Sequence, residues 1–188
     1  MTKVLFNKTE TSVKISQDIL CKDIDLFLKE MYYNLELNYL KFFKMDNLCK
    51  LGVIGTELLV RKNQDLLKNK HKIGIILQNK SSSFDSDLKH QEGIKNNTVS
   101  PSVFVYTLPN IVIGEISIKH KWISEGVFFV DEVLDSKLLA QYSNILLKEE
   151  RTELNLIGWI DVLNDQYVLK LCVVDEQVTL VRLKELLI

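Results

Sequence analysis

The chain has 188 residues, of which 46% are hydrophobic and 26% charged, and this fits one soluble domain of ordinary composition. Lys and Arg number 24 against 25 Asp and Glu, for a formal net charge of −1. That balance excludes a general phosphate-backbone binder, which needs a basic excess. Seven glycines and two prolines are few turn formers, so long elements are expected rather than a many-stranded sandwich or a propeller.

Met1-Thr2-Lys3 leads into a short apolar run that Asn7-Lys8 ends, too short for the apolar region of a signal peptide. No stretch approaches the about 20 apolar residues of a membrane span. A cytoplasmic protein is expected. Cys21, Cys49 and Cys172 are odd in number and widely spaced. They fit neither a disulfide framework nor a zinc pattern, and each reads as a small core hydrophobe.

Val4, Phe6, Val13 and Ile15 predict two short strands joined by a turn at Asn7-Lys8-Thr9-Glu10. Residues 24–43 carry apolar side chains at helical spacing, with interruptions. Asp46 is placed to cap a second helix at 47–62, buried through Leu48, Leu51, Leu58 and Leu59. Gly52 and Gly55 cost that helix propensity, which points to a neighbour packing closely there. Residues 63–71 are polar and read as a solvated helix end or loop. The run Ile73 to Leu77 is apolar on both faces, as in a central strand covered by helices. Residues 79–100 are polar and read as a loop around a short helix.

Val103 to Ile123 is ambiguous. Its isoleucines partly alternate, while Pro109 suits the first position of a helix. Val127 to Val130 reads as a buried strand after Gly126. Residues 136–149 read as helix. Leu154 to Val162 and Tyr167 to Val174 read as strands of a hairpin, and the tail from Val178 is strand or helix. Alternating strands and helices ending in a hairpin imply an α/β fold in one domain, 1–188, with a mixed sheet between helical layers.

Three segments together resemble the N-terminal half of a β-ketoacyl synthase, a condensing enzyme of the thiolase fold. They are Lys44-Met45-Asp46-Asn47-Leu48-Cys49-Lys50-Leu51 with its following helix, Ser100-Pro101-Ser102-Val103-Phe104-Val105-Tyr106-Thr107-Leu108-Pro109-Asn110, and Gly114-Glu115-Ile116-Ser117-Ile118 leading to Gly126. The middle segment is the most specific. The likeness covers roughly residues 44–162 and extends to short ketosynthase-like proteins found beside flexirubin and aryl-polyene type pathways. It implies a thiolase-like half with a five-stranded mixed sheet, and it implies that Pro109 to His120 is helical.

The family's cysteine nucleophile sits on the tight turn after the strand, at a helix N-terminus where amides and dipole favour the thiolate. That position falls near Asp135 here. No cysteine lies between Cys49 and Cys172. Asp135 reads as a helix cap. Ser136 is a hydroxyl at the degenerate nucleophile position, but no base is identifiable for it. His71, His90 and His120 do not match the family's two catalytic histidines. His71 reads as exposed, His90 as a loop residue, and His120 as a charge favoured at a helix C-terminus. Glu57, Glu115, Asp131 and Glu132 read as surface carboxylates. Tyr32-Tyr33, Phe42-Phe43 and Phe128-Phe129 read as core or interface. The sequence has no glycine-rich phosphate loop, no Gly-x-Ser-x-Gly and no HExxH. Neither a cofactor nor a metal is expected.

The resemblance implies a catalytically inactive subunit that binds a partner ketosynthase or an acyl carrier protein in fatty acid or polyketide-type biosynthesis. The family's dimer strand corresponds to Val127, Phe128, Phe129 and Val130, so a homodimer or a heterodimer with a ketosynthase is expected. The Lys-rich residues 62–72 are a candidate docking face for an acidic carrier protein. Two other readings stay open. The chain is half of a split 3-oxoacyl-[acyl-carrier-protein] synthase, or it is a stand-alone acyl-chain binding domain with the 79–100 segment over a pocket.

Overall fold

The computed structural model describes residues 3–6, 12–16 and 23–187. The turn expected at Asn7–Glu10 and Cys21 lie outside them. Six strands form one mixed sheet: β1 (Lys3–Phe6), β2 (Ser12–Ser16), β3 (Ile73–Asn79), β4 (Gly126–Val130), β5 (Leu154–Leu163) and β6 (Gln166–Val174). Their order is β1-β2-β6-β5-β3-β4. The expected mixed sheet between helical layers is present, with β1 as a sixth strand on its far edge.

β3 is buried at all seven positions, as its two-sided apolar run requires. It pairs in parallel with β4 on one side and β5 on the other. β5 and β6 form an antiparallel hairpin across Asn164-Asp165, with Asn164 in the left-handed region (φ 54°) that asparagine tolerates. β2 continues the sheet antiparallel to β6.

Alternation along each strand then divides the core into two layers. On one face Ile73, Ile75, Leu77, Leu156, Leu169 and Leu171 meet α1 (Ile24–Asn34), α2 (Asn47–Lys62) and α6 (Ile111–His120). On the other, Ile76, Ile157 and Cys172 meet α7 (Ser136–Lys148) and α8 (Leu180–Leu187). The tail is thus a helix, and its Leu183, Leu186 and Leu187 are buried. No helix among the described residues is long and apolar enough to cross a membrane.

The helix starts follow the local chemistry. The Asp46 side chain accepts from Cys49 N at 2.9 Å and opens α2 at Asn47. Gly52 and Gly55 do sit at close approaches. A Cβ on Gly55 would meet Leu169 Cδ1 at 2.6 Å, and one on Gly52 would press on Val112. Residues 64–67 form one helical turn, α3 (Gln64–Leu67), before the chain enters β3. α5 (Pro101–Val105) has its proline in the first turn, and α6 begins at Ile111, with Pro109 in the turn before it.

Three expectations change. The segment 79–100 is more helix than loop: the short helix expected inside it is α4 (Phe84–Lys95), 12 residues long, with Asp85 and Asp87 in the first turn and an Asp85–Lys89 ion pair at 2.8 Å. Its weak apolar stripe does not mark how far the helix extends. β4 is not interior. It is the outer edge of the sheet, with Val130 55% exposed and Val127, Phe128 and Phe129 half-buried. The helix expected over 24–43 breaks after Asn34, and a 3-10 turn at Leu40–Lys44 replaces its second half.

Gly158 sits where β5 and β6 approach most closely. A Cβ there would overlap the Lys170 carbonyl oxygen and lie 3.0 Å from Leu171 Cα, both backbone atoms that cannot swing aside. We expect Gly158→Ala to destabilise the fold by about 2 kcal/mol or more, as overpacking does, measured by urea unfolding.

Candidate functional site

The C-terminal ends of parallel strands around a central one are where open α/β sheets place ligands or chemistry. Here β3 is that central strand, and the chain runs from β4 through residues 131–135 into α7 beside it. Asp131 N donates to Asn79 O at 2.8 Å and carries the β3–β4 ladder one residue past the strand. Gln78 Oε1 then accepts from Asp135 N at 2.8 Å and fixes the sharp bend. The Asp135 carboxylate accepts from Lys137 N (2.9 Å) and Leu138 N (3.0 Å), so it caps α7 as its sequence position predicts.

That cap decides what the turn can do. The first free amides of a helix are what would stabilise a thiolate or an oxyanion. Asp135 already occupies two of them and adds a negative charge. Ser136 is next to the cap but is 4% exposed, and no histidine hydrogen-bonds to it among the described residues. The neighbouring turn after β3 is closed by its own side chains. Asn79 Nδ2 donates to Ser82 O at 2.8 Å and Ser82 N donates back to Asn79 Oδ1 at 2.9 Å. Asp161 on β5 accepts from Ser81 N at 2.8 Å and from Ser81 Oγ at 3.1 Å.

The described cysteines lie elsewhere and are unreactive by environment. Cys49 is buried in α2 and Cys172 in β6, on opposite faces of the sheet. Burial pushes the Cys172 thiol up to about 12. Burial and then the Asp46 carboxylate push the Cys49 thiol well above its ordinary value.

The structure scatters the histidines. His71 is exposed at the start of β3, and its carbonyl accepts from Ile123 N. His90 is on α4, not in a loop, and its ring lies 5.4 Å from that of Phe104. Beside it, Phe84, Leu88, Ile94 and Thr107 border an open surface groove of about 370 Å³. His120 ends α6, but it is not the favoured charge expected there. It stacks on Trp122 at 4.8 Å, and burial pulls its pKa down to about 4.

Two of the four carboxylates are not on the surface. Glu115 is 4% exposed, receives the Tyr106 hydroxyl at 3.1 Å and pairs with Lys41 at 2.7 Å. Glu57 pairs with Arg61 at 2.9 Å and with Lys119, joining α2 to α6. The sequence held a signal for both: Glu57 and Arg61 stand at i,i+4, and Glu115 falls at helical spacing between Val112 and Ile116 on the buried stripe. Asp131 and Glu132 are exposed, as expected. Tyr32 and Phe42 are core, while Tyr33 and Phe43 close over them as an exposed aromatic cluster.

No family model matches the chain, and no curated protein matches it. Solved structures do. The ishigamide ketosynthase/chain length factor superposes with a TM-score of 0.61 at 15% identity, over 71% of this chain and 44% of that one. A ketosynthase of Xenorhabdus doucetiae, solved in complex with its chain length factor, gives 0.56 at 12% identity, over 75% and 62%. A type II polyketide acyl-carrier protein in complex with its ketosynthase bound to the hexaketide gives 0.58 at 13%, over 82% and 58%. The chain thus spans about half the length of the structures it matches. Its mixed sheet between helical layers has the thiolase-like fold of the ketosynthases.

Proposed function

We propose that this chain is a ketosynthase-like subunit that acts by binding and does not itself condense. The observation that carries this reading is the β4–α7 turn. A strand, a sharp bend and a helix N-terminus follow one another there, the arrangement that the resemblance assigns to the thiol of a condensing enzyme, and here the amides are held by the Asp135 carboxylate. The edge of β4, Val127 to Val130, is the surface through which it binds. Its backbone is open on one side, Val127, Phe128 and Phe129 are half-buried and Val130 is exposed, as in a strand awaiting a partner. Ketosynthase–chain length factor pairs among the similar structures support a ketosynthase as the partner class.

An acyl carrier protein is the second partner in this reading. One similar structure is such a complex. Arg61, Lys62, Lys68, His71 and Lys72 are exposed at the end of α2 and before β3, a basic face for an acidic carrier.

The first test is reconstitution with malonyl-loaded carrier protein, an acyl primer and a ketosynthase of the same organism. The expected result is no 3-oxoacyl product from this chain alone and a product of altered length or yield when both proteins are present. Condensation that this chain performs and that Ser136→Ala abolishes would overturn the reading in favour of a split enzyme. The second test is thiol labelling of the folded protein with iodoacetamide at pH 8. Cys49 and Cys172 should stay unmodified until denaturant is added, because both titrate far above that pH. A thioester trapped on either would refute it.

A further inference from the structure

We propose that the β4 edge is charged against its own copy and selects a different chain, one whose pairing strand carries Lys or Arg at its two ends. The inference rests on the edge-pairing reading above and adds the chemistry of the partner.

The open hydrogen-bonding groups of β4 follow from its ladder with β3. Ile75 N donates to Glu125 O at 3.0 Å and Asp131 N donates to Asn79 O at 2.8 Å. Backbone groups alternate sides along a strand, so residues 125, 127, 129 and 131 point to β3. Gly126, Phe128 and Val130 point outward. Only one antiparallel register of two such strands engages all three: Phe128 opposite Phe128 on the two-fold axis, and Gly126 opposite Val130 on each side of it.

That register fixes the flanks. Val127 lies opposite Phe129, and one step further Glu125 lies opposite Asp131. Such non-hydrogen-bonded pairs bring Cα atoms to about 4.5 Å, and like charges directly opposite are destabilising. The two-fold axis makes this happen twice. Glu125 has a partner, Arg151, but Arg151 also serves Glu149 at 3.6 Å. Asp131 is followed by Glu132, both are exposed, and neither has a cationic partner among the described residues. Each end of a self-paired joint therefore sets one arginine against Glu125, Glu149, Asp131 and Glu132. A foreign strand with a basic residue facing Glu125 and another facing Asp131 keeps the three backbone pairs and turns both contacts into attraction.

The test uses the full chain and its charge-reversed double variant, Glu125→Lys with Asp131→Lys. Each is measured alone and in a 1:1 mixture, at tens of micromolar in low salt, by size exclusion with light scattering and by native mass spectrometry. The expected result is two monomers when separate and a heterodimer when mixed, with the mixture tightening at least tenfold over either self-association. A stable homodimer of the unmodified chain, or a mixture no tighter than its components, overturns the charge selection. Val130→Pro separates that failure from failure of the edge reading. It deletes an outward N–H that no bond within the chain uses, so the fold should persist by circular dichroism while pairing is lost. Pairing that survives Val130→Pro means that β4 is not the joint, and the edge reading itself falls.

Discussion

Every residue of β3 from Ile73 to Asn79 is buried, so both faces of the sheet at its centre must be covered by helices. The chain meets that demand by alternating sides. The connection from β3 to β4 runs through α4, α5 and α6, and α6 packs on the face that α2 covers. The connection from β4 to β5 runs through α7 on the opposite face, and α8 completes that layer. β5 takes the place on the other side of β3, and the β5–β6 hairpin carries the sheet on to β2 and β1. β4 is left at the sheet edge opposite β1, with β3 as its neighbour.

The same arrangement brings three strand ends and one helix start together, and the electrostatics there are settled by carboxylates. Asp135 holds the first amides of α7, and Asp161 holds the turn after β3. A cap of this kind contributes about 1 kcal/mol to stability. It also removes the donors that a nucleophile at a helix start depends on. The fold is thiolase-like, and a stabilising carboxylate holds the helix start that follows β4. The half-buried Glu57 and the buried Glu115 tie α6 to α2 and to the Leu40–Lys44 turn, through Lys119 and Lys41. Their role is to hold the layer that supports β3 and β4.

The edge of β4 follows from topology, and the charge beside it lies in residues just outside the strand. The strand itself is apolar and carries no charge. Glu125 and Asp131 are aligned by the two backbone bonds that extend its ladder at either end. Charge at those two points guards an open edge, a familiar defence against unwanted pairing.

What the sequence by itself determined is local. Asp46 and Asp135 announce the starts of α2 and α7 because a capping carboxylate needs only amides two or three residues away. The two-sided apolar runs mark β3 and β5, and Gly52 and Gly55 mark close approaches, because a missing side chain inside a helix needs a packing reason. The absence of a thiol near Asp135 is likewise legible in the residues alone. Tertiary structure decided the rest. Val127 to Val130 reads as interior by composition, yet only strand order makes it an edge. α4 has too weak a stripe to mark its length and is held through Ser86 to Asp46 at 2.7 Å and through Asp85 to Asn164 N at 3.0 Å. Glu115 and His120 look solvent-facing by residue type, and their burial comes from packing against partners far away in sequence. Caps and periodicity act over a few residues, while burial, edge position and protonation depend on which distant segments arrive alongside.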